Sequence, residues 1–150
     1  MIARDPATPP KRPASGAIGR WRLAGLAIVF LWFLIGGIGH FVATEAAMRI
    51  VPPYVPWPRA AVWVSGVLEL LGAAGLLWPS TRRAAGLGLF ALTIAVTPSH
   101  FYMLQRPDLF SVPYWALVLR IPVQVALLAL IVWSTAQSSQ RARPRSFLRS

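Results

Sequence analysis

The chain has no cysteine, only four acidic residues and a charged fraction of just 13% in 150 residues. Without thiols there is no disulfide framework, no thiolate metal site, no iron–sulfur ligation and no cysteine nucleophile. A soluble domain carries roughly 25% charged residues, so an ordinary soluble fold is excluded. The sequence also lacks a glycine-rich phosphate loop, a zinc-type histidine motif, a serine nucleophile elbow and a close carboxylate pair. No catalytic residue and no metal site is therefore assigned. What is abundant is apolar: 56% of residues are hydrophobic. The net charge is +11, but the basic residues gather in the tails and between long apolar runs, not among polar residues as in a nucleic-acid binder. The pattern is that of an all-α integral membrane protein, and no nucleic-acid partner is expected.

The length suits one unit with two basic tails. Residues 1–22 form a proline-rich basic N-terminal tail expected to be disordered. Residues 23–134 form the membrane domain, and 135–150 a basic C-terminal tail. Leu23 to Val42 runs without a charged Lys, Arg, Asp or Glu, and a helix needs about 20 such residues to cross the hydrocarbon layer. A cleaved signal peptide would have an apolar core of about 7 to 15 residues and a small-residue cleavage site, which fits poorly. Thr44 to Arg59 carries Pro52, Pro53, Pro56 and Pro58 and reads as an interfacial loop, with Tyr54 and Trp57 suited to the headgroup layer. Further spans are expected at Ala60 to Trp78, at Ala84 to Leu104 with a bend near Pro98, and at Ser111 to Trp133. The result is a four-transmembrane-helix bundle.

Orientation follows from the basic residues outside the spans. Eleven Lys and Arg fall in the two tails and the Arg82–Arg83 turn, against three (Arg49, Arg59 and Arg106) on the other side. Positive flanks stay in the cytoplasm, so both termini are expected to be cytoplasmic, with the cell membrane as location. The lipid bilayer is the certain partner, and other membrane subunits or further copies of the chain are possible ones.

An ionisable group within lipid costs about 2.5 to 3.5 kcal/mol on insertion scales, so it should face the bundle interior with a partner. The candidates are His40, Glu69, His100 and Arg120. At helical spacing, Glu69 shares its face with Ser65, Gly66, Gly72 and Ala73, a small-residue stripe of the kind that packs helices together. His40 follows Gly36 and Gly37, His100 aligns with Thr93 and Thr97, and Arg120 aligns with Gln124. Glu69 lies nine residues past Ala60 and Arg120 nine past Ser111, each about 13 Å deep. An intramembrane ion pair between Glu69 and Arg120 is therefore expected, with Gln124 and Thr97 as supporting polar groups. Two readings follow. In one, the pair only sets the register of the bundle while the histidines hydrogen-bond across helices. In the other, His40, Glu69, His100 and Tyr102 line a small polar pocket roofed by Tyr54 and Trp57. Haem ligation by His40 and His100, or a metal site completed by Glu45, has weaker support.

Several runs together resemble the DoxX-like family of small four-helix bacterial membrane proteins. These are Gly36-Gly37-Ile38-Gly39-His40-Phe41, Arg49-Ile50-Val51-Pro52-Pro53-Tyr54, Ser65-Gly66-Val67-Leu68-Glu69, Gly75-Leu76-Leu77-Trp78-Pro79 with Arg82-Arg83, Ile94-Ala95-Val96-Thr97-Pro98, and Leu119-Arg120-Ile121-Pro122-Val123-Gln124. The match spans about residues 23–134, and Ser99-His100 stands where many members of that family have Ala-Asn. The resemblance implies a four-span bundle with His40, Glu69, Arg120 and Gln124 at motif positions. It further implies a membrane subunit or accessory protein of a quinone-linked redox system, with a quinone as the candidate cofactor, and it leaves open whether such a subunit is itself catalytic. The alternatives are a small transporter or proton-conducting module, or a structural assembly factor for another membrane protein.

Overall fold

A computed structural model describes residues 15–136 of the chain. Within them lie six α-helices: α1 Ser15–Val42, α2 Thr44–Arg49, α3 Pro58–Leu77, α4 Arg82–Ala95, α5 Thr97–Gln105 and α6 Tyr114–Thr135, with a 3-10 turn at Pro107–Leu109. No strand occurs among the described residues. Four segments are long and apolar enough to cross a membrane: Gly19–Val42, Pro58–Leu77, Arg82–Gln105 and Tyr114–Thr135. The third joins α4 and α5 across a break at Val96. Proline has no N–H to donate and crowds the preceding turn, so Pro98 at the start of α5 accounts for the interruption expected there.

Two expectations are corrected. The chain is helical from Ser15, so residues 15–22 of the expected disordered tail belong to α1, while residues 1–14 and most of the C-terminal tail lie outside the described residues. Hydropathy marks where a helix meets lipid, and the hydrogen-bonded backbone runs on past that boundary. The expected loop likewise opens with the six-residue helix α2. It fits between the end of α1 and the prolines that stop it.

The four long segments form a square. α3 packs against α1 and α4, and α6 packs against the same two, so α1 faces α4 across one diagonal and α3 faces α6 across the other. Small residues let helices approach closely where lipid offers no hydrophobic drive to associate. At the α1–α3 seam, a Cβ on Gly37 would lie 3.1 Å from the carbonyl oxygen of Gly66, and one on Gly66 3.2 Å from that of Gly37. Gly72 meets Leu89 and Gly75 meets Ala85 at the α3–α4 seam, Gly86 meets Thr135 at α4–α6, and Gly25 meets Trp133 at α1–α6.

One apolar core, comprising Val29, Phe33, Ala73, Leu76, Leu89, Leu127 and Ile131, fills the half of the bundle nearest the chain termini. In this half the arginines of the basic flanks close the helix ends. Arg22 donates to the carbonyls of Trp133 and Ala136 at the end of α6. Arg82 Nε donates to Leu76 O at 3.0 Å and Thr81 Oγ1 to Gly75 O at 2.8 Å at the end of α3. Basic groups at helix C-termini satisfy orphan carbonyls and complement the helix dipole. The outward faces are apolar, with Ile35, Leu71, Leu87 and Val125 each exposed.

Candidate functional site

The other half of the bundle is hollow. A cavity of about 560 Å³ lies between the spans, and its mouth is bordered by α2 and the residues that follow it. His40 reaches it from α1, Glu69 from α3, His100 from α5 and Arg120 and Gln124 from α6. The four intramembrane ionisable groups expected to face inward thus share one cavity with Gln124, whereas Thr97 is absent from its wall. Tyr54 borders it as well, while Tyr102 and Trp57 are absent from its wall. Trp57 is 78% exposed and holds a left-handed backbone (φ 53°) between two prolines, which turns it outward. Glu45 pairs instead with Arg59 at 2.6 Å on the exterior, so it completes no site with the histidines.

Glu69 does not pair with Arg120. Its Oε1 lies 3.4 Å from His40 Nε2, and no Glu69–Arg120 contact appears among the three ion pairs of the described residues. Two physical causes account for this. The helices begin at Pro58 and Tyr114, not at Ala60 and Ser111. Glu69 therefore stands eleven residues into α3 and Arg120 six into α6, an offset of about 7.5 Å at 1.5 Å per residue. α3 and α6 are also diagonal neighbours across the cavity. The partner comes from the adjacent helix, because the Gly37–Gly66 approach draws α1 onto α3 and sets His40 beside the acid. Gly36 completes the arrangement, since a Cβ there would lie 2.7 Å from Glu69 Oε2.

Arg120 is left with one side-chain hydrogen bond among the described residues, Nη1 to Met103 Sδ at 3.7 Å. A thioether is a weak acceptor, and a guanidinium has five N–H donors and keeps its proton.

Gln124 closes the break in the third span. Its Nε2 donates to Thr93 O at 3.1 Å and to Thr97 Oγ1 at 2.6 Å, and Thr97 Oγ1 donates to Thr93 O at 3.1 Å. Because Thr93 O can only accept, this contact fixes which end of the amide faces α4. Among the described residues, three buried side-chain polar atoms have no hydrogen-bond partner: Glu69 Oε2, His100 Nδ1 and Gln124 Oε1. An unpaired buried polar atom costs about 1 to 3 kcal/mol, and all three belong to residues of this cavity. The rest of the wall is largely apolar, with Trp32, Phe33, Ile50, Val55, Leu92 and Val123 among its members. A mostly apolar concavity with a few placed polar groups is the usual form of a small-molecule site. Phe33 shares its helix face with His40 at a spacing of seven residues, whereas Trp32 escaped the sequence reading because an aromatic residue in a span gives no sign by itself of which face it occupies.

The described residues thus form an all-helical bundle with four span-length apolar segments around a largely apolar cavity that carries a few polar groups. The chain belongs to the family described as Domain of unknown function (DUF8561), whose model matches residues 26–137. No curated protein and no solved structure matches the chain.

Proposed function

We propose that the chain is a multi-pass protein of the cytoplasmic membrane whose cavity binds, without transforming, a small molecule with a polar head and an apolar body. A quinone headgroup is the candidate that the DoxX-like resemblance brings. The setting that goes with it is a membrane subunit or accessory protein of a quinone-linked redox system. The observation carrying the reading is the convergence of His40, Glu69, His100, Arg120 and Gln124 on one cavity among apolar helices. Groups of this kind are rare within spans and mark ligand or ion pathways. Membrane insertion is supported by the apolar outer faces, and cytoplasmic termini by the eleven-to-three distribution of basic flanks.

Trp32 in the wall provides a reporter. A naphthoquinone is expected to quench tryptophan emission of the protein in nanodiscs, and Glu69→Gln is expected to abolish the quenching while copurification of partners persists. Quenching unchanged by Glu69→Gln sinks the reading. Topology is testable because the chain has no cysteine of its own. A lone cysteine at Ser80 should be labelled from the cytoplasmic side and one at Tyr54 from the opposite side.

The His40–Glu69 contact favours one second reading, a proton-conducting or transporting module, since an acid and an imidazole in contact can pass a proton. Flux driven by a pH gradient in proteoliposomes must then be lost in Glu69→Gln, and flux that survives eliminates this reading.

A further inference from the structure

We infer that the head of the cavity's occupant is an oxyanion, a carboxylate or phosphate carried on an apolar body, and that Arg120 holds it. The inference rests on the cavity-binding reading above and puts an anionic head in place of the neutral quinone.

Besides Tyr54, four ionisable side chains border the cavity: His40, Glu69, His100 and Arg120. The sole acid among them is engaged by His40 at 3.4 Å. Arg120 is a permanent cation, and no carboxylate among the described residues lies within ion-pair distance of it. Its one side-chain hydrogen bond among the described residues goes to the Met103 sulfur, which leaves most of its N–H groups for other acceptors. Arg120 belongs to the cavity wall although it lies inside a span. Within hydrocarbon such a cation requires a counter-charge, and guanidinium is suited to planar, bidentate recognition of carboxylate and phosphate. Arg120 lies six residues into α6, about 9 Å from its first residue, so the oxyanion would sit toward the mouth. Apolar residues such as Phe33, Leu92 and Val123 would surround the rest of the molecule.

Three probes of one ring size separate charge from shape: 2-naphthoate, its neutral amide 2-naphthamide, and 2-methyl-1,4-naphthoquinone. Calorimetric titration of the full chain in phosphatidylcholine nanodiscs is expected to show naphthoate binding about tenfold or more tightly than the amide and the quinone, as charge-assisted hydrogen bonds would require. Arg120→Gln should erase that preference and Arg120→Lys should keep part of it. Cavity-filling Val123→Trp should weaken all three probes. Equal affinity for naphthoate and naphthamide, or a tighter quinone, overturns the oxyanion assignment on the unaltered protein, whether or not Arg120→Gln folds. If equal affinities are still lost with Val123→Trp, the cavity-binding reading survives and only the charge assignment falls. If no probe binds, both fall. Adding phosphatidate to the discs, at salt high enough to screen surface charge, separates the carriers of the head. Competition with naphthoate supports a lipid phosphate, unchanged naphthoate affinity supports a free acid, and either supports the oxyanion.

Discussion

The two halves of this bundle are built from the same four helices and hold together by different means. In the half near the termini, Val29, Leu76, Leu89 and Ile131 are each at most 1% exposed, and side chains interlock without a sizeable gap. In the other half the helices part around about 560 Å³. What keeps them in place is the backbone approach of Gly37 and Gly66, the His40–Glu69 contact and the bonds from Gln124 to the break between α4 and α5. The dry half supplies stability by close packing. The hollow half is kept open by a few directed contacts, which leaves its wall free to serve a ligand.

This contrast breaks most readily at the α1–α3 seam. Gly66→Leu places a side chain against the Gly37 carbonyl, His40 and Phe41, and a backbone neighbour cannot rotate away. The expected cost is about 3 kcal/mol, seen as loss of monodisperse protein in detergent together with loss of the cavity. A paired truncation then sharpens the contrast. Leu76→Ala in the dry half should cost about 2 to 5 kcal/mol, measured by reversible unfolding in mixed micelles. Val123→Ala in the cavity wall, where the side chain already borders open space, should cost less than about 1 kcal/mol. Equal costs for the two would mean that the halves do not differ as described. Next in size is Gln124→Leu, which removes the two bonds from the amide to Thr93 O and Thr97 Oγ1 at the helix break and should cost about 1 to 3 kcal/mol. Its signature is local, with faster amide hydrogen exchange around residues 93–97 and none of the increase near Leu76.

The same contrast explains how far the sequence could be read. The spans were legible because length and hydropathy are local, and the interruption of the third span was legible because Pro98 denies a hydrogen bond wherever it sits. The inward face of Glu69 was legible as well, since Gly66, Gly72 and Ala73 repeat at helical spacing. Its partner was not. Depth had to be counted from assumed span ends, and shifts of two residues at α3 and three at α6, in opposite directions, put Glu69 and Arg120 more than a turn apart. The order of helices around the square appears in no local pattern either, so nothing in the sequence placed α6 diagonal to α3. The packed half was anticipated only as apolar runs, because hydropathy does not say which leucines turn inward. The capping roles of Arg22 and Arg82 were masked by their use as topology signals.

The smallest expected effect lies outside both halves and calibrates them. Between α5 and α6, Arg106 Nη2 lies 3.3 Å from Asp108 Oδ2, and this hydrogen bond holds the Asp108 carboxyl below its ordinary value of 3.8. A lowered carboxylate pKa contributes stability that is fully present above the ordinary value and is lost as pH falls through the value in the folded chain. Both groups are open to solvent, where ion pairs are screened and contribute little. Asp108→Asn should therefore leave the melting temperature in detergent nearly unchanged, with any difference from the parent confined to neutral pH and shrinking on acidification. A difference that instead grew on acidification, or that rivalled Gln124→Leu, would show that this turn bears on the cavity mouth and is not a solvated connection.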